Sequence, residues 1–214
     1  MGVIEQGLLG QFVNKVGSVV GRVRLGVNVM SIYQPNVSNP RTEAQQTQRL
    51  RFSLLAEMSS ICGSFIAFVN RSLKGRGQTA QNVFMRSNFK AGAVTGTYPN
   101  LRIEFGNMVF GGGSLMGLYS PNAALVEDSL VIGWTDNSGE GNASTTDKIN
   151  VILINSSKKA SFVGLEAGER GQTTISLTPP AAWSGDAVEV YVVVTNLANT
   201  AVSESYYLGS INLE

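Results

Sequence analysis

The sequence predicts an α+β fold: an N-terminal β-hairpin followed by helices, then an all-β sandwich. Three observations predict it. Apolar residues recur at helical spacing between about residues 44 and 90, and fall into short strand-like runs after Ser114. Gly111-Gly112-Gly113 separates the two regimes. Charge divides at the same place. Residues 1–112 hold 12 Lys/Arg and four Asp/Glu, a net of +8, while residues 113–214 hold four and 11, a net of −7. The overall +1 therefore conceals a basic hairpin-and-helix docking domain, 1–112, and an acidic β-sandwich domain, 113–214.

Each element has a local reason. Val16 to Tyr33 reads as a hairpin: β-branched residues on both sides of Leu25-Gly26, which supplies the turn. Val27, Val29 and Tyr33 share one face while Met30 and Ile32 make the other face apolar too. Such a strand is either buried or covered by another subunit. Thr42 with Gln45 fits a helix start, and Glu43 suits the first turn. Leu54/Leu55, Met58, Ile61/Cys62, Phe65 and Phe68/Val69 keep helical spacing. Ser59-Ser60 and Gly63-Ser64 are expected to bend this run into two helices. Lys74-Gly75-Arg76-Gly77 reads as a basic loop. Thr79 to Lys90 is a further helix, anchored by Val83, Phe84 and Phe89 and ended by Gly92. Leu101, Ile103 and Phe105 alternate with Arg102 and Glu104, as in a half-buried strand.

Seven strand-like runs follow: Ala124–Glu127, Ser129–Thr135, Lys148–Asn155, Ala160–Leu165, Thr173–Leu177, Ala187–Asn196 and Ser203–Leu213. Their spacing predicts a small immunoglobulin-like sandwich.

The composition removes several chemistries. The chain has no His, so Ser-His-Asp, Cys-His and His-based metal sites are excluded. The single Cys, Cys62, lies on the apolar helix face and reads as a small buried hydrophobe. No phosphate-binding loop or dinucleotide fingerprint occurs. The loop from Asp136 through Glu140 to Asp147 offers oxygen ligands for Ca²⁺, but reads first as a solvated loop. No catalytic residue, cofactor or metal ligand is therefore expected. No run reaches the roughly 18 apolar residues of a membrane helix, and Met1–Glu5 lacks the basic and apolar regions of a signal peptide.

Two stretches carry resemblances. Gly17-Ser18-Val19-Val20-Gly21 through Met30, then Asn39-Pro40-Arg41-Thr42-Glu43-Ala44-Gln45 and Arg49-Leu50-Arg51-Phe52, resemble an uncharacterised family of Bacteroidota and their phages. The likeness continues at Gly96–Asn100 and Ser203–Gly209. It implies phage association and assigns no activity. The second half resembles a fibronectin type III module, through Trp134, Leu177 before Pro179-Pro180, and Tyr191 on the penultimate strand.

Together these readings lead to a non-enzymatic structural component of a virion or phage-like particle, a decoration, head-fibre-base, connector or tail-associated subunit. It is expected to be made in the bacterial cytoplasm without a signal peptide, to avoid membranes, and to assemble as a homo-oligomer with other virion proteins. The expected interface residues are Val27, Val29, Met30, Ile32 and Tyr33 on the hairpin and Arg41, Arg49, Arg51 and Phe52 on the helix. Two alternatives stand beside this. The basic half can bind nucleic acid, with Phe52 and Phe89 stacking bases. The sandwich loops, with Trp183 exposed, can act as a surface recognition module for a glycan.

Overall fold

The computed structural model describes residues 2–4, 12–36, 38–73 and 78–213, with the side chains of 2–4 and the whole of the Lys74–Gly77 loop lying outside the described part. The fold is α+β. An antiparallel sheet and three helices precede an immunoglobulin-like sandwich of fibronectin III-like arrangement.

The hairpin forms where expected, from β3 (Val19–Arg24) and β4 (Val27–Ile32). Leu25 and Gly26 both take positive φ, +49° and +78°, the type I′ geometry that matches strand twist. The hairpin is the centre of a larger sheet, with β1 (Gly2–Ile4) beside β4 and β2 (Asn14–Val16) beside β3. Gly21 is required by close packing: a Cβ there would strike the Phe12 ring and carbonyl.

Helix α1 (Glu43–Ile61) starts at Thr42, whose Oγ1 accepts the Gln45 backbone N–H at 3.4 Å. It breaks at Cys62, and α2 (Gly63–Val69) leaves at 84° to it. No single described helix is long and apolar enough to cross a membrane. Helix α3 (Ala80–Ala91) ends on Gly92 in the left-handed conformation, as expected. Val83 and Phe84 anchor it, but Phe89 does not: it is exposed, and the buried side chain of the last turn is Asn88.

The strand expected over Leu101–Phe105 shortens to β6 (Arg102–Ile103), paired with β5 (Val94–Thr95). Phe105 then enters a 3-10 turn at Gly106 and packs against the helical core instead of continuing the alternation.

All seven sandwich strands are present. They are β7 (Tyr119–Val126), β8 (Ser129–Thr135), β9 (Lys148–Asn155), β10 (Ala160–Glu169), β11 (Thr174–Leu177), β12 (Ala187–Thr195) and β13 (Tyr206–Asn212). They form sheets in the order β11-β8-β7 and β10-β9-β12-β13. Between them lie Leu130, Ile132, Trp134, Ile149, Val151, Leu153, Val188, Val190, Val192 and Val194.

The helices make a third layer on the outer face of the four-stranded sheet. Ile152, Ile154, Tyr191 and Val193 point outward and share a core with Leu55, Met58, Cys62, Phe65, Ile66, Val69, Phe84 and Phe110. Strands β9 and β12 are thus buried on both faces, which is why they read as unbroken apolar runs rather than alternating ones. Tyr191 sits on the penultimate strand as the fibronectin resemblance implied, but it faces the helices, and its hydroxyl donates to the Phe105 carbonyl at 2.7 Å.

Two buried asparagines hold the crossing between layers. Residues 108–110 have no strand partner there, so side chains meet their backbone groups. Asn88 Nδ2 donates to the Val109 carbonyl at 2.7 Å, and Asn88 Oδ1 accepts the Val109 N–H at 2.9 Å. Asn70 Nδ2 donates to the Phe110 carbonyl at 2.9 Å. Asn88→Ala leaves both Val109 groups unpaired and is expected to cost about 2–4 kcal/mol. A urea titration checks it: the midpoint should fall with the slope unchanged. Gly111 and Gly113 then let the chain pass against the Val202–Ser203 backbone, where a Cβ on either would collide.

Candidate assembly interface

The N-terminal sheet is an appendage. Among the described residues, every hydrogen bond made by 12–36 stays within the four-stranded sheet, to β1 or within the segment itself. Its register fixes two faces. Arg22 lies opposite Val29 and Arg24 opposite Val27, so these four share one side. On the other side Val16, Val19 and Ile32 form one cross-strand row. That row is open: Ile32 is 76 % and Val16 63 % exposed. Tyr33, just past β4, is also exposed, with the Lys15 ammonium 3.6 Å above its ring. Asn28 is buried on β4, and neither its Oδ1 nor its Nδ2 has a partner among the described residues.

The first face and α3 enclose a crevice of about 390 Å³ lined by Arg24, Val27, Val29, Gln78, Asn82 and Arg86. Two valines form its apolar part and two arginines its charged part, with no carboxylate among the described lining residues. A second crevice, lined by Arg41, Gln46, Arg49 and Tyr98, lies at the start of α1. Arg49 there donates to Asn39 at 2.6 Å, and the Tyr98 hydroxyl bonds Gln46. Arg51 lines a third, beside Phe89 and Val94, and its buried Nε has no partner among the described residues. Phe52, 57 % exposed, stacks on Phe89 at 6.5 Å.

The nine residues expected at the interface are therefore not gathered into one patch. Val27 and Val29 line the α3 crevice, Ile32 and Tyr33 lie open on the sheet, and Met30 is half-buried on the Ile32 side. Arg41 and Arg49 share one crevice, and Arg51 and Phe52 flank another region of α1. Arg24 and Arg86 join the valines only through the strand register and the packing on α3. Nothing in the local sequence links positions more than 60 residues apart.

Ion pairing follows the charge step. Among the described residues there are four ion pairs, Lys148–Glu169 at 2.7 Å, Lys158–Asp186 at 2.6 Å, Lys159–Glu57 at 2.6 Å and Arg170–Asp147 at 3.1 Å. All four bases of residues 113–214 are thus paired. Among the described residues, no base of the first 112 is. Lys158 and the Asn155 amide hold the Asp186 carboxyl below its usual range. Ser138 does the same for Asp136. Burial and Glu189 push the Tyr207 hydroxyl up, and its O–H bonds the Glu189 carboxylate.

The other candidate chemistries meet specific obstacles. Trp183, which the glycan alternative needs at the surface, is buried in the sandwich core on a 3-10 turn, so it offers no stacking face to a sugar. Asp147 of the candidate Ca²⁺ loop is committed to Arg170 and to the Ser144 N–H. Cys62 is fully buried, and desolvation pushes its thiol up to about 12, which keeps the thiolate scarce.

No curated protein and no solved structure matches the chain. One protein family does match, over residues 9–209, which span the hairpin, the helices and nearly all of the sandwich. The chain belongs to that family, described as a family of unknown function (DUF6266).

Proposed function

We propose that the protein is a non-enzymatic structural subunit of a phage virion or phage-like particle and works by protein–protein assembly. The observation that carries this reading is the appended sheet with its open Val16–Val19–Ile32 row. An exposed apolar cross-strand row on a short sheet is costly in water and is relieved by a partner surface. The absence of histidine and the inert Cys62 leave catalysis without its usual groups. The partners are further copies of the chain and neighbouring particle proteins.

Native mass spectrometry of the full chain at low salt, without nuclease treatment, tests the reading. The expected result is a defined oligomer free of nucleic acid, shifted to monomer by Ile32→Lys. A monomer for both proteins, absent from purified particles, would overturn it.

A second reading, binding of single-stranded nucleic acid, draws on one arrangement. Phe52 and Phe89 stack at the surface beside Arg51, among bases that carry no internal ion pair among the described residues. Aromatic faces with cations track a strand in this way. It requires retention of DNA or RNA that weakens with salt on a log–log slope of several units.

A further inference from the structure

The crevice between β4 and α3 is a cationic socket with no counter-charge among the described residues that line it. Arg24 and Arg86 line it, and Val27 and Val29 supply its apolar surface. Neither arginine has an ion-pair partner among the described residues. Burying two guanidinium groups in a contact requires carboxylates within reach. The same molecule carries a surplus of them on its sandwich.

Most of those acids are already engaged. Asp147, Glu169 and Asp186 are ion-paired, Glu189 accepts from Tyr207, and Asp136 accepts from Ser138. Glu140 interacts with the Tyr119 hydroxyl. Four described acids are not, Glu127, Asp128, Glu166 and Glu204, and of these only Glu127 and Asp128 are adjacent. They form the two-residue tip between β7 and β8, both exposed, and their carboxylates make no hydrogen bond or ion pair among the described residues. Val126 precedes them and is 54 % exposed. The tip thus presents one apolar side chain and two adjacent carboxylates. The socket presents two valines and two arginines.

We propose that the socket is filled by the β7–β8 tip of a second copy of this chain. Glu127 and Asp128 of one molecule pair with Arg24 and Arg86 of the next, and Val126 covers Val27 and Val29. The proposal rests on the assembly reading and names its contact. Socket and tip are different surfaces, so the contact is made either twice, reciprocally across a two-fold axis, or head to tail, which on repetition builds a ring or an open filament. It also makes use of the charge step: the basic half of one molecule faces the acidic half of a neighbour, and association weakens as salt screens the pair.

The test uses the full chain and two charge-reversed proteins, Arg24→Glu/Arg86→Glu and Glu127→Lys/Asp128→Lys, followed by sedimentation velocity at about 25 mM and about 500 mM salt. Wild type should associate at low salt and dissociate at high salt. Each reversed protein alone should be monomeric, its affinity lowered by about 100-fold or more, because like charges now meet. Mixing the two should restore association, since each supplies the surface complementary to the other. That recovery also shows that both are folded.

A mixture that stays monomeric would overturn the proposal. So would reversed proteins that assemble like wild type; if Ile32→Lys still blocks assembly in that case, the assembly reading stands and only this contact fails. A wild type that stays monomeric at low salt sinks both. Nuclease-sensitive mass lost in Arg24→Glu/Arg86→Glu but kept in Glu127→Lys/Asp128→Lys would overturn the proposal in favour of nucleic acid.

Discussion

Arg170→Met is expected to lower stability by about 3–5 kcal/mol, because it strands a buried carboxylate. Arg170 is fully buried where the chain turns from β10 into β11. Its Nε donates to Asp147 at 3.1 Å, one terminal nitrogen to the Gly117 carbonyl at 2.8 Å and Asn137 Oδ1 at 2.6 Å, and the other to the Met116 carbonyl at 2.6 Å. Its own carbonyl accepts the Trp134 indole N–H at 2.7 Å. One side chain therefore fastens the 113–118 linker, the 136–147 loop and the sandwich core together. Methionine fills the volume but leaves Asp147 without its counter-charge, and Asn137 Oδ1 and the Met116 carbonyl without their donors. Thermal denaturation should show a fall in Tm of roughly 10 °C. Arg170→Met/Asp147→Leu should lie closer to wild type than Arg170→Met does, since removing both charges removes the stranded one. A double variant worse than the sum of the single losses would contradict this account.

Phe110→Ala is expected to cost about 3–5 kcal/mol and to loosen the helical layer from the sandwich. The Phe110 ring meets Phe65 at 5.7 Å, Phe84 at 5.4 Å and Tyr191 at 4.9 Å, so it touches α2, α3 and β12 at once. Truncation leaves a cavity lined by three other aromatics on rigid elements that cannot all move inward. Hydrogen exchange locates the effect: amides of α2 and α3 should lose protection more than those of β8, which lies on the far side of the sandwich. Equal loss everywhere would mean that the layers unfold as one unit.

Much of this architecture was legible in the sequence because its signals are local. Leu25-Gly26 marks the hairpin turn, Thr42 and Gly92 mark helix ends, and the seven apolar runs mark the sandwich strands. The failures have a common cause, tertiary packing overriding local pattern. Phe105 leaves the strand alternation because Gly106 turns it into the helical core, and Phe89 stays outside because Asn88 is needed within. Tyr191 faces the helices because β12 is covered on both sides, and periodicity does not distinguish the two faces of such a strand. The candidate interface was legible only in pieces. Val27 and Val29 could be singled out from their apolar strand, but Arg24 and Arg86 become their neighbours only once the sheet lies beside α3.

The two-sided burial of β9 and β12 also sets a schedule for biosynthesis. The helices leave the ribosome first, yet the surface they pack on is made much later: Ser161 bonds the Ile61 carbonyl across 100 residues and Asn199 reaches Phe68 across 131. At about 5–20 residues per second, the apolar side of α1 and α2 waits roughly 5–25 s for its sheet. Contacts so distant along the chain also slow folding itself. The nascent N-terminal half is thus a natural client for chaperones, and fast expression should favour aggregation over folding.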